Sequence, residues 1–156
     1  MTEIAGWFRG RCPDTWFTEP PEVTVDREEV LVVGRVDCPD ADAALGRAKR
    51  FREETREQRM RIAEEAEDRF GRKVSWGVRI GEERYLFTHL AVPVMTRLRQ
   101  NERVVLDTLI DAGVARSRSD ALAWCVRLVE KHQGDWISQL RDALVHVEEV
   151  RKQSPL

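Results

Sequence analysis

The chain has 156 residues, room for one compact domain or two small ones, of which 42% are hydrophobic and 35% charged. Its 26 Lys and Arg nearly cancel its 28 Asp and Glu, for a formal net charge of -2. That balance excludes a globally basic protein that coats nucleic acid or an anionic membrane by long-range attraction, although a local basic face can hide within it. Only four of the basic residues are Lys, a bias that codon usage in a GC-rich genome largely explains. No apolar run approaches the ~18 to 20 residues that span a bilayer. The opening Met1-Thr2-Glu3-Ile4 has no basic segment ahead of an apolar one, so no secretory signal is expected. Three cysteines (Cys12, Cys38 and Cys125) are an odd number and too few for a disulfide scaffold. The expectation is a cytoplasmic chain with free thiols.

Residues 1–22 carry Trp7-Phe8 and Trp16-Phe17 among Gly6, Gly10, Pro13, Pro20 and Pro21. These breakers predict an ordered arm without a continuous helix. Its aromatic pairs either cap a hydrophobic face of the body or present a surface to a partner. Residues 23–25 and 29–36 read as two short strands across a turn. Val30-Leu31-Val32-Val33 is expected to be buried on both faces. Asp40 is placed to cap a long helix from Ala41 to about Phe70. Along it Ala44, Ala48, Phe51, Thr55, Gln58, Ile62, Ala66 and Phe70 recur at steps of three and four, predicting a thin buried stripe. Arg47, Arg50, Arg52, Arg56 and Arg59 crowd its first half, and Glu64, Glu65, Glu67 and Asp68 its end, against the preference of the helix dipole. This face is either a solvated one laced with i,i+4 pairs or a second basic surface for a partner or nucleic acid.

Residues 74–80 and 84–88 predict a β-hairpin turning at Gly81. An extended stretch over 91–98 follows, then a helix over 101–112 closed by Gly113. A second helix is expected over 119–131. A third, over 135–152, would carry Trp136, Leu140, Leu144 and Val147 on one face. The partition is an aromatic arm at 1–22, an α+β domain at 23–88, a strand-helix-helix unit at 89–131, and a C-terminal helix and tail at 132–156. The fold class is α+β, with a small sheet and one long charged helix ahead of the helical part.

Within 92–131, Arg97-Leu98 ends the extended stretch, Leu106 and Leu109 punctuate the first helix, and Ala-Gly-Val-Ala-Arg-Ser-Arg-Ser-Asp-Ala-Leu spans the turn at 112–122. This quarter of the chain resembles the ribbon-helix-helix domain of bacterial repressors and antitoxins. The resemblance implies a homodimer whose paired strands lie in the major groove of double-stranded DNA. It assigns base contacts to Pro93, Met95 and Arg97, with Arg99 on phosphate. It assigns the phosphate clamp at the start of the second helix to Ser117, Arg118 and Ser119. Pro and Met at two of the three outward strand positions depart from the polar or basic residues that the family often has there. Physical argument alone also demands dimerisation, because one strand and two short helices bury too little apolar surface. Leu106, Leu109, Ile110, Leu122, Cys125, Leu128 and Val129 are the expected core. Ser117 with Asp120 three residues later also reads as an ordinary capping box.

His89, His132 and His146 lie far from any cysteine at metal-ligand spacing, and Cys12 and Cys38 have no third ligand in view. No phosphate-cradling glycine loop, nucleophile elbow or metallohydrolase motif is present, so neither catalysis, cofactor nor metal is expected. The leading expectation is a homodimeric DNA-binding transcriptional regulator. The alternative is a non-enzymatic interaction module, antitoxin-like or adaptor, that keeps the fold for dimerisation. It would engage a protein partner through the N-terminal arm or the charged helix.

Overall fold

The computed structural model describes residues 2–155, which form five α-helices and one four-stranded sheet. The fold is α+β, in two compact units that divide between Val94 and Met95. No helix among the described residues is long and apolar enough to cross a membrane.

The first unit begins with a helix, α1 (Thr2–Arg11), where the glycines and prolines had predicted irregular chain. Ile4, Phe8 and Cys12 step by four and are all buried, so one apolar stripe outweighs the propensity lost at Gly6 and Gly10. Strands β1 (Glu22–Val25) and β2 (Glu29–Arg35) pair antiparallel across a turn in which Asp26 accepts the N–H groups of Glu28 and Glu29. Asp40 accepts the Asp42 N–H at 3.0 Å, and a 3-10 turn (Ala41–Ala43) leads into α2 (Ala44–Glu54).

The predicted single helix to Phe70 is two, because Thr55 leaves helical geometry (φ -99°, ψ 0°) before α3 (Arg56–Phe70). Strand β3 (Lys73–Ile80) then returns parallel to β2, and β4 (Glu83–Leu86) closes the hairpin across Gly81 at φ +60°. The sheet order is β1-β2-β3-β4, with the α2–α3 pair as the crossover between the two parallel strands.

Val30, Val32, Trp76, Val78 and Ile80 occupy alternate positions of β2 and β3, and they pack with Phe8, Ala48, Phe51, Ile62 and Ala66 from the helices. Val33 on the opposite face is buried as well, while Leu31 beside it is half-buried, so the second face of this run is covered only in part. The Trp-Phe pairs belong to this core. Trp16 meets Phe17, Phe51 and Trp76 edge-on, with centroids 5.8–6.0 Å apart, and Phe17 stacks on Phe51. Phe17 also lies against Gly34 of β2, where an added Cβ would come within 2.1 Å of its ring. Arg11 joins Glu65 of α3 by two hydrogen bonds of 2.7 and 2.9 Å, fastening α1 to the body.

The second unit is α4 (Gln100–Asp111), a turn, and α5 (Arg118–Lys152). Gly113 takes φ +78°, the left-handed geometry expected after α4. The two helices predicted beyond it are both present within Arg118–Lys152, meeting at a kink where Gln133 leaves helical geometry (φ -126°, ψ 18°). Leu106, Ala115 and Ala121 are buried, with Leu98, Leu109, Ile110, Leu122 and Cys125 half-buried around them. Leu128 and Val129, expected in this core, are exposed.

Candidate nucleic-acid interface

Residues 91–98 form no strand within the chain, although the sequence pattern is that of one. A ribbon needs a second strand for its backbone groups, and a single chain has none to offer here. Pro93, Met95 and Arg97 are all exposed, Met95 at 96%. Val94, which the ribbon register would turn inward, is 85% exposed and Val92 is exposed too, while Leu98 is half-buried against α4 and α5.

Arg99 is the N-cap of α4, and its backbone N–H donates to the Glu102 carboxylate at 2.8 Å. Its side chain is exposed next to the end of the extended stretch. Arg103 donates to the Leu98 carbonyl at 2.6 Å and so ties the end of the extended stretch to the helix.

At the start of α5, the Ser117 hydroxyl accepts the Asp120 N–H at 3.1 Å, a standard N-cap. The reciprocal half of the expected capping box is shifted by one residue: Asp120 accepts from Arg116 N–H at 2.9 Å, not from Ser117. Ser119 is exposed in the first turn, where free amides and the helix dipole favour an anion. Arg118, the cation of the expected clamp, is held in a bidentate pair with Asp107 of α4, at 2.9 and 3.0 Å. The hydrogen bonds from Arg118 hold the Asp107 carboxyl below its usual range, and the same bonds raise the guanidinium. The pair is solvent-exposed, so a phosphate can compete for the guanidinium.

The second basic surface is smaller than its sequence. Arg59 is buried, not presented: its Nε donates to Thr55 Oγ1 at 2.9 Å, its Nη2 to the Arg52 carbonyl, and its guanidinium lies 5.1 Å from the Phe87 ring centre. Burial, with Arg52 and Arg56 nearby, pulls it down to about 10, so it still carries its charge at neutral pH. Thr55 mediates this, giving its hydroxyl proton to the Phe51 carbonyl at 2.6 Å while accepting from Arg59. Arg50 pairs with Glu54 at 3.7 Å and Arg47 is half-buried, so of these five arginines Arg52 and Arg56 are the exposed ones with no ion pair among the described residues. Sequence periodicity had put Gln58 on the buried stripe; the break at Thr55 rotates Arg59 there instead.

The thiols are free: Cys12 is buried, and Cys38 and Cys125 are half-buried. No group of three or more potential metal ligands exists among the described residues.

Comparison with known proteins covers both units. Residues 2–86 match the family described as Rv1265-like protein, N-terminal domain, and residues 99–151 match the Mb1296 C-terminal domain. Over 157 aligned positions the chain is 58% identical to the uncharacterized protein Mb1296 of Mycobacterium bovis and, equally, to the uncharacterized protein Rv1265 of Mycobacterium tuberculosis. Each alignment takes in 97% of this chain and 70% of the relative. No solved structure matches the chain. On identity and coverage together, the chain belongs to the Rv1265-like protein family.

Proposed function

We propose that the chain is a homodimeric, non-enzymatic, cytoplasmic DNA-binding regulator of ribbon-helix-helix type. The observation that carries this reading is the uncovered stretch at 92–98, where Val92 and Val94 stand in solvent although the register turns them inward. A second copy paired antiparallel would satisfy the backbone of that stretch and cover those side chains in one step. The helix-Gly113-turn-helix that follows, with its Ser117 cap, supports the same reading. On the paired ribbon, Met95 and Arg97 face outward, Arg97 as the guanine reader with two parallel donors. Arg99, Ser119 and a released Arg118 meet phosphates and fix the register. Arg52 and Arg56 add a smaller basic surface on the first unit.

The test is selection of bound duplexes from a random pool at physiological salt, followed by titration of the selected site. The reading expects a short inverted repeat and an affinity that falls steeply as salt rises. Arg97→Ala should lose about 1–3 kcal/mol of discrimination at one base pair, with binding to random duplex little changed. Arg118→Ala should weaken all sequences alike. A flat selection profile, together with a co-purifying protein, would instead favour the interaction module.

A further inference from the structure

The far half of α5 leaves an extended apolar surface open. The helix buries only Ala121, and beyond Gln133 it presents Trp136 at 58% and Leu144 at 61% exposure, with Leu140, Val147 and Val150 also exposed. Most helical stability in proteins comes from packing of an apolar face, so a helix that leaves this much apolar surface in water calls for a partner along that side.

Spacing identifies what that partner is. Ile137, Leu140, Leu144 and Val147 follow one another at steps of three, four and three, a seam of the kind that packs against a second helix. At 3.6 residues per turn, Arg141 and Glu148 lie along one edge of the seam, and Trp136, Ala143 and Val150 along the other. His146 approaches Glu149 at 3.9 Å in this segment, and Arg141 and Glu148 have no ion pair among the described residues.

We propose that this face pairs antiparallel with the same face of a second copy. Antiparallel pairing puts like edges together. Arg141 of one copy then meets Glu148 of the other, twice by symmetry, while the apolar edges close on each other and widen the contact. A parallel pair would set Arg141 and Glu148 against the apolar edge, leaving both charges without partners and partly desolvated. The sequence of one edge is thus its own complement only when reversed. This contact is separate from the ribbon and does not depend on DNA binding.

The register that joins Arg141 to Glu148 puts Leu144 beside the two-fold axis and leaves the two copies of Ile137 roughly 20 Å apart, at 1.5 Å per residue. Disulfide trapping in the full chain reads this directly. On mild air oxidation, Leu144→Cys should form a cross-linked dimer well above the parent chain, and Ile137→Cys should not. In the Leu144→Cys background, Arg141→Glu or Glu148→Arg alone should lower the trapped fraction about fivefold, and the two together should restore it. Equal trapping at 137 and 144 would mean a parallel pair, and trapping at neither would mean no pair; either overturns the proposal. So would charge reversals that change nothing, or a double variant that fails to recover. Loss of DNA selection with trapping intact would count against the regulator reading alone.

Discussion

The two units solve the same problem in opposite ways. The first closes its own interior: α1, α2 and α3 cover one face of the sheet with a lattice of aromatic rings, and ion pairs fasten α1 in place. The second buries three residues and leaves a long run of valines and leucines in water. A unit that finishes its core within the chain is suited to be a rigid body. One that stops short has its stability held by whatever joins it, which makes assembly and folding one equilibrium. The contrast is the one expected if the proposed association lies in the C-terminal unit and the N-terminal one serves as its rigid support.

The sharpest way to break this comparison is to open the closed core. Phe8→Ala removes a fully buried ring from α1 and should cost about 3–5 kcal/mol, read as a lower denaturant midpoint of the near-ultraviolet aromatic signal. A much smaller loss would mean that α1 is dispensable and that the first unit is not self-contained.

Alkaline pH probes the same core. Burial, only partly offset by Arg11, pushes the Cys12 thiol up from 9.0 to about 11. An unfolded chain therefore releases this proton near pH 9 while the folded one retains it, and stability falls as pH rises from about 9 to 11. The loss approaches about 2–3 kcal/mol at the upper end, at 1.36 kcal/mol per unit. Cys12→Ala should flatten the dependence of the unfolding midpoint on pH across this window, whatever it does to the midpoint itself.

Dilution separates the two regions without any substitution. The helical signal of α4 and α5 should melt at lower temperature in dilute protein, with about 1.4 kcal/mol lost per tenfold dilution, while the aromatic signal of the first unit stays put. Coincident melting at all concentrations would remove the distinction. The smallest expected effect is at the exposed pair: Asp107→Asn frees Arg118 and should strengthen binding to DNA of any sequence about threefold, measured by fluorescence anisotropy.

The parts of the fold legible in the sequence are those punctuated locally. Gly81 and Gly113 mark the hairpin and the α4–α5 turn because each sits at positive φ, a requirement that residue type alone reveals. The Ala44 to Ala66 stripe was legible as a period except at Gln58, whose place Arg59 takes. The α1 helix was hidden because Gly6 and Gly10 weigh as breakers in isolation, whereas burial of Ile4, Phe8 and Cys12 is a tertiary matter. Nothing in the run from Ala41 to Phe70 announces a break at Thr55. The break depends on a hydroxyl that bonds back to Phe51 and on an arginine that finds an aromatic ring from β4's end, and neither is visible along one dimension. At the candidate interface, Met95 and Arg97 stand exposed together with Val92 and Val94, and the sequence did not disclose that Asp107 occupies Arg118.

Gly34 carries a consequence for how this family can diverge. Its φ is not positive, so backbone angles alone would rate it replaceable by any residue. The ring of Phe17 fills the space that a side chain would need, so even alanine would lift the 13–21 loop from the strand or push β2 out of register. Gly77 on the neighbouring strand is confined in the same way, by Leu86 and the Tyr85 carbonyl at 2.8 and 2.9 Å. Drift can reach these two sites only in step with their neighbours: a larger residue at 34 becomes tolerable once position 17 has shrunk. In distant relatives the pairs 34 with 17 and 77 with 86 should therefore change together, and they would trace this sheet through sequences too diverged to align by identity.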